Sequence, residues 1–350
     1  ANGSQLIAGD GNLLLVKSWT GNPVSAVSRV EFAVDDARLI GDVSLDRTTV
    51  ANGTVNVLLR NKAQIDGRFI NVTSATIDTN SAWLMTGDSS VGHLTLGATG
   101  TVALGDGSRF NTLSVDTFTG NGGTLAFNTV LGDDASATDK LIIAGDANGQ
   151  ANVRVHNAGG SGAKTDKGIE LIRVGGASNA QFDLQGRAVG GQYEYFLFKD
   201  ATNGGWYLRS ELATTPDPCQ ADPNLPQCKP IIDPIDPIDP ITPIPVLRPE
   251  AGAYLANQSA AVNMFAHRLG DRIGAPDSGD GRNAWARVGR QQADFSAVGG
   301  QLSVDGSTSV LQIGSDLLRR GDVVFGVMLG SGRADNSVVS QLTGYGAKGR

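Results

Sequence analysis

Little in this sequence suits a soluble enzyme. Only 18% of its 350 residues are charged and 6% are aromatic. Clustered Lys and Arg are missing and the net charge is −7, which argues against a nucleic-acid partner, whose phosphates call for basic patches. No run reaches the roughly 18 apolar residues of a membrane-spanning helix. Cysteine is confined to Cys219 and Cys228, with eight residues between them. In an oxidising compartment the pair could close a small disulfide; free thiols remain open, and two cysteines without a nearby histidine make a poor zinc site. Neither a cofactor nor a metal is expected. An initiating Met and a signal peptide are also missing. Ala1 opens straight into strand-like sequence and Arg350 interrupts a strand pattern just begun, so an internal piece of a longer precursor is expected.

What the chain has in quantity is glycine, 47 residues, which suits an architecture with a turn every few residues. Its proline is localised. Residues 216–249 hold eleven of the thirteen prolines and include the triplets Asp233-Pro234-Ile235, Asp236-Pro237-Ile238 and Asp239-Pro240-Ile241. Each proline fixes φ and lacks an N–H, and the residue before it is pushed toward extended geometry. This stretch therefore reads as a stiff spacer able to reach roughly 100 Å at about 3.1 Å per residue. It divides the chain into two parts of different kind.

Upstream, short apolar runs recur: Val30 to Val34, Val55 to Leu59, Ile65 to Ile70, Leu94 to Leu96, Leu113 to Val115 and Leu125 to Phe127. Gly41-Asp42, Asp66-Gly67, Gly87-Asp88, Asp106-Gly107 and Gly122-Gly123 punctuate them. Several turns are spaced by about 20 residues, as in a solenoid whose coils lay strand on strand. A β-sandwich is the competing reading, but it should repeat tight two-residue hairpin signals that are scarce here. From Asp139 the character changes, ending in Tyr193 to Lys199 and Gly205 to Ser210, a hairpin with Asn203-Gly204-Gly205 in its turn. An aromatic-dense closing hairpin is a suitable cap for the open end of a solenoid.

Downstream, Pro249 and Glu250 form a helix start, and Gly274, Ala275 and Pro276 a stop. Val262, Phe265, Leu269 and Ile273 recur at intervals of three and four, so a helix over 250–274 is expected, roughly 36 Å long at 1.5 Å per residue. It is too polar to face lipid and would suit a wet, protein-lined pore. The segments that follow alternate with a period of two: Leu311, Ile313 and Leu317 against Gln312, Gly314 and Asp316, and Val323, Phe325, Val327 and Leu329 against Val324, Gly326, Met328 and Gly330. Transmembrane barrel strands and soluble antiparallel sheets both give this pattern.

Asp139 through Ser210, with its Asn157-Ala158-Gly159-Gly160 turn, Leu171 to Gly175 and the Trp206-Tyr207-Leu208 ending, resembles the C-terminal end of pertactin-like passengers of bacterial autotransporters (type V secretion). Leu247-Arg248-Pro249-Glu250-Ala251-Gly252-Ala253-Tyr254, with Asn257-Gln258 and His267-Arg268-Leu269-Gly270-Asp271-Arg272, resembles the linker helix of the autotransporter translocator. Ala284 to Arg290 and Leu311 to Leu317 are similar to its first strands. The resemblance implies an all-β protein with the following plan. Residues 1–138 are coils of a right-handed parallel β-helix, 139–212 an autochaperone cap, and 213–249 a Pro-rich linker. Residues 250–274 form a pore helix and 280–350 the start of an outer-membrane β-barrel of which this chain holds about three strands. It further implies a surface-displayed passenger, adhesive or virulence-associated. The expected partners are the outer membrane, its barrel-assembly machinery and a host-cell or extracellular surface ligand.

No catalytic constellation stands out, and no catalytic, cofactor or metal site is assigned. Gly87-Asp88-Ser89-Ser90 is only partly similar to the Gly-Asp-Ser of serine-protease passengers, and His93 and His156 lack a context marking them as bases. Asp35-Asp36 and Asp133-Asp134 could serve as the paired carboxylates of a β-helical polysaccharide hydrolase, but turn carboxylates explain them better. Val262-Asn263 matches part of the Val-Asn-Asn motif at which some autotransporters release their passengers by Asn cyclisation, with Met264 in the third place. An enzyme passenger whose active site lies upstream of Ala1 remains the alternative function.

Overall fold

The computed structural model describes residues 4–18, 28–211, 245–268, 273–274, 283–320 and 323–350. Cys219, Cys228 and the tandem Asp-Pro-Ile triplets lie outside the described residues. Among the described residues the chain is all-β apart from one helix, and it divides into two compact units, residues 1–245 and 246–350.

In the first unit the strands from Ser4 to Leu184 pair with one another in parallel. Three ladders run side by side because alternate residues of each strand point inward and like residues stack. One ladder carries Leu39, Ile65, Trp83, Val102, Leu125 and Val153 in register. A second carries Val57, Ala75, Leu94, Phe118 and Ala147. The third carries Val91, Val115, Ile143 and Val174. All of these are buried, and each large one contributes about 1.5–3 kcal/mol by leaving water. Trp83 stacks on Phe69 with ring centroids 4.0 Å apart and donates its indole N–H to the Gly67 carbonyl at 2.9 Å. Where successive coils touch backbone to backbone only glycine fits: a Cβ on Gly149, at φ +78°, would lie 1.9 Å from the Gly120 carbonyl.

The parallel pattern stops near residue 188. Ala188–Gly190 pairs antiparallel with Tyr193–Lys199, which pairs antiparallel with Trp206–Arg209, which in turn runs antiparallel to Ile169–Val174. The turn at 200–205 forms because the Asp200 carboxylate accepts from the Thr202 and Asn203 N–H groups, and Gly204 takes φ +70°. The hairpin expected from Asn203-Gly204-Gly205 is present.

The second unit is an antiparallel meander: Ile273–Gly274, Asn283–Ala297, Leu302–Arg320, Val323–Ser340 and Gly346–Gly349 pair in sequence order. Its helix, α1, spans Pro249–Asn263, 15 residues, rather than the expected 250–274. Ile273 and Gly274 instead lie in a strand paired with Trp285 and Ala286. Val262 is exposed, and α1 packs through Gly252 and Ala253 onto Leu302, Val304 and Val338. A Cβ on Gly252 would come within 3.0 Å of both Leu302 and Val338, so close approach rather than an apolar stripe seats the helix. No described helix is long and apolar enough to cross a membrane.

Candidate functional site

The side chains singled out for catalysis are dispersed and already occupied. Ser89 is buried; its hydroxyl accepts from the Phe69 N–H and donates to the Gly87 carbonyl. His93 lies on the same strand four residues on, roughly 13 Å away at about 3.3 Å per residue, with Nδ1 2.7 Å from the Thr117 hydroxyl. His156 is exposed and sits opposite Asn128. Asp35 accepts from Asn61 and from Arg60, and the Asn61 hydrogen bond holds its carboxyl below the usual range. Neighbouring Asp36 takes φ +46° at the bend between strands. No three His, Cys, Asp or Glu side chains cluster in metal-ligating fashion among the described residues.

Asp133 and Asp134, expected as a solvated pair, have separate tasks. Asp133 accepts from the Ala135 N–H within its own turn. Asp134 reaches across to the next turn and accepts from three successive backbone N–H groups, those of Asp166, Lys167 and Gly168, at 3.0, 2.8 and 2.9 Å. Partial burial opposes its ionisation, yet the three donors together hold its carboxyl below the ordinary value.

Asp134 is one of several ties that converge on the segment 158–168, which has no regular structure of its own. Tyr195, fully buried, places its hydroxyl 2.8 Å from the Gly132 carbonyl, 3.0 Å from the Ala163 carbonyl and 2.9 Å from the Ala163 N–H, which donates to it. Burial raises the pKa of that phenol. Thr165 and Ser210 exchange two backbone-to-hydroxyl hydrogen bonds of 3.0 Å each. Asn157 clamps its own turn, accepting from Gly160 N–H and donating to the Gly160 and Val189 carbonyls. Gly160 itself cannot be replaced freely, since a Cβ there would lie 2.2 Å from the Leu131 backbone.

Beneath these ties Glu194, 1% exposed, is gripped by both the Nε and Nη2 of Arg187 at 2.8 and 3.0 Å. Trp206 meets Phe182 edge-on at 5.3 Å, and Phe182 lies 5.5 Å from Phe118, so the closing hairpin is joined by aromatic contacts to the stacked core. Further down, Asp139 is buried and accepts from Asn111 N–H and from both the backbone and side chain of Asn128. The arrangement closes strand edges and welds a hairpin to a stack.

Residues 87–197 match the family described as Autochaperone Domain Type 1. The adhesin BmaC autotransporter of Brucella suis is 33% identical over 77% of this chain and 8% of its own length. The pertactin autotransporter of Bordetella bronchiseptica is 34% identical over 45% of this chain and 17% of its own. The chain carries an autotransporter passenger region. YdeU of Escherichia coli is 39% identical to it over 70% of this chain and 54% of YdeU. The chain thus spans about half, or much less, of the length of these relatives. Autotransporters are outer-membrane proteins that display passengers at the cell surface, and the passenger region belongs there. The autochaperone match takes in Asp134, Asp139, Tyr195 and the Glu194–Arg187 pair, and begins upstream of the boundary expected at 139.

Sequence reasoning marked Trp206 and the Asn157 turn. It missed Tyr195, whose partners lie 32 and 63 residues back, and it assigned Asp134 to solvent. A single Glu inside the aromatic run Tyr193 to Phe198, with Arg187 seven residues before it, was an available signal for the buried ion pair.

Proposed function

We propose that this chain joins the end of an adhesive, surface-displayed passenger to the start of its own translocator. Residues 1–138 form coils of a right-handed parallel β-helix, and 139–212 close it as an autochaperone cap. Residues 213–249 are a spacer outside the cell, α1 and the residues after it lie within the lumen, and 280–350 begin the β-barrel. The observation that carries the passenger half is the change from three parallel ladders to an antiparallel, aromatic-anchored hairpin. A cap stable enough to fold first would bias the emerging chain outward, since backsliding would require unfolding it. The translocator half is supported by exposed Phe325, Val327 and Leu329 on one face of their strand and by fully buried Gln312 on the opposite face of its neighbour. Partners would be the outer membrane, its barrel-assembly machinery and a surface ligand. That BmaC is an adhesin favours binding over catalysis as the passenger's role.

Topology gives the test. In intact cells making the complete precursor, with Cys219→Ser and Cys228→Ser, a membrane-impermeant thiol reagent should label Asp236→Cys and leave Gly274→Cys unlabelled. Equal labelling would exclude threading through a pore.

A further inference from the structure

We propose that a groove on the outside of the parallel stack, along the corner between its second and third ladders, holds a neutral, extended oligosaccharide chain; this names the chemistry of the surface ligand and rests on the adhesive reading above. The groove has a volume of about 500 Å³. It arises where two successive strands turn the corner of the coil. Ser90 and Ser114 face outward on the third ladder, in register with each other and with Ile142 one coil later. Asn71, one coil earlier, donates its N–H to the Ser90 hydroxyl at 2.8 Å. His93 and Thr117 face outward on the second ladder, also in register. Between the two rows stands Gly92, where the missing side chain leaves a trough beside Asp116. A Cβ there would lie 2.6 Å from the Thr73 carbonyl and 3.5 Å from Asp116 Oδ2.

The groups facing this trough suit sugar hydroxyls. Ser114 and Asp116 are exposed, and neither side chain makes a hydrogen bond or ion pair among the described residues. His93 engages Thr117 through Nδ1, which leaves Nε2 for a ligand. Arg47, at one end, donates from Nη1 to the Gly53 carbonyl at 2.8 Å and keeps its other nitrogens. Ile142 and Ala144 supply apolar surface for the C–H face of a pyranose ring. Charge then selects the ligand: a polyanion would meet Asp116 and a polycation Arg47, whereas a neutral chain hydrogen-bonds to both. The repeat selects its shape. From Asn71 to Ile142 the polar row advances three steps of about 4.8 Å, roughly 14 Å in all, and an extended, equatorially linked pyranose chain presents its hydroxyls at a similar step. A peptide strand fits less well, because Ser89–Leu96 and Thr112–Thr129 are hydrogen-bonded to coils on both sides and offer it no free edge.

The test uses cells displaying the full-length precursor and three fluorescent oligosaccharides: cellohexaose, neutral and extended; maltohexaose, neutral and curled; and a hyaluronan hexamer, extended and anionic. Cellohexaose should bind, and the other two should bind at least about tenfold more weakly, the ratio for one charge-assisted hydrogen bond made or lost. Ser114→Tyr, which fills the groove from an exposed position, should abolish cellohexaose binding while the passenger keeps its protease resistance. Asp116→Ala removes a group with no folded-state partner, should raise the Kd about tenfold on the same ground, and serves if Ser114→Tyr does not fold. Arg154→Tyr, exposed on the outer face of the first ladder, should bind as wild type does. Wild-type binding in folded Ser114→Tyr or Asp116→Ala, equal loss in Arg154→Tyr, or a preference for hyaluronan overturns the groove. Adherence of the same cells to cultured epithelial cells separates the two readings. If they adhere but bind no cellohexaose, the oligosaccharide is wrong and the adhesive reading stands; loss of that adherence in Ser114→Tyr would make the groove a protein-docking site instead. If cellohexaose binds, is lost in Ser114→Tyr, and the cells do not adhere, the groove stands and the adhesive reading falls.

Discussion

The two units use the same alternation of apolar and small or polar residues and turn it in opposite senses. In residues 4–211 the large apolar side chains point inward, and the exposed ones among the described residues are Leu6, Ile7 and Leu15 of the first strand. In residues 246–350 many point outward: Val288, Leu311, Ile313, Phe325, Val327 and Leu329 are at least half exposed, while Trp285 and Gln312 are buried on the other side, where Leu302, Val304 and Val338 pack beneath α1. A stack of parallel strands makes its own dry interior because coils above and below supply apolar neighbours. The antiparallel meander buries Leu302, Val304 and Val338 beneath α1 on one side and leaves its other, apolar face without cover among the described residues. Periodicity sets which residues share a face, and the partner of that face sets the fold.

The largest test of this contrast is Trp206→Ala. Deleting a buried indole at the joint between hairpin and stack should cost about 3–5 kcal/mol. In the full precursor, surface-exposed passenger should lose protease resistance while barrel assembly is unchanged. Because the indole N–H has no partner among the described residues, Trp206→Phe should retain most of the resistance. Equal loss in both variants would mean that something other than the edge contact with Phe182 matters.

Next is a charge placed on each apolar face. Val327→Arg should destabilise the assembled barrel by about 2–4 kcal/mol if that face meets hydrocarbon, read as the denaturant midpoint in lipid vesicles. The same substitution at Val102, inside the stack, should instead abolish passenger folding and leave the barrel intact. A neutral Val327→Arg would mean that this face is wet.

A smaller effect is expected at the hydroxyl of Tyr195. Tyr195→Phe keeps the ring and strands the Gly132 and Ala163 groups, costing about 1–3 kcal/mol. Urea denaturation of the passenger should register it, with the second unit unaffected.

The smallest effect depends on pH. The folded-state pKa of Asp134 lies below its ordinary value, so its contribution is fully present above that value and is lost as pH falls through the folded pKa. The wild-type passenger should therefore lose part of its urea resistance in that acidic window. Asp134→Asn should be weaker at neutral pH and show less of that acid loss; an unchanged acid slope would remove the carboxylate from the account.

Much of this plan is legible along the chain. The runs at Val30, Val55, Leu94 and Leu125 all became strands, and the turn at Asn203-Gly204-Gly205 closed the hairpin where its residues permit left-handed backbone. The helix shows where reading along the chain misleads. Val262, Phe265, Leu269 and Ile273 have helical spacing, yet regular helix ends at Asn263 and Ile273 is drawn into a strand opposite Ala286, a pairing that a linear reading does not show. Asp133 and Asp134 look alike as neighbours; only the loop brought across from 166–168 distinguishes a turn residue from a tie.

The sequence by itself determined the period-two faces, the glycines that let backbone meet backbone, and the division at the prolines, since each depends on a residue and its near neighbours. The tertiary structure decided which coil each strand stacks on, what the Tyr195 hydroxyl reaches and where α1 stops. Those outcomes depend on groups tens of residues apart, whose approach is set by loop closure and mutual fit rather than by any local preference.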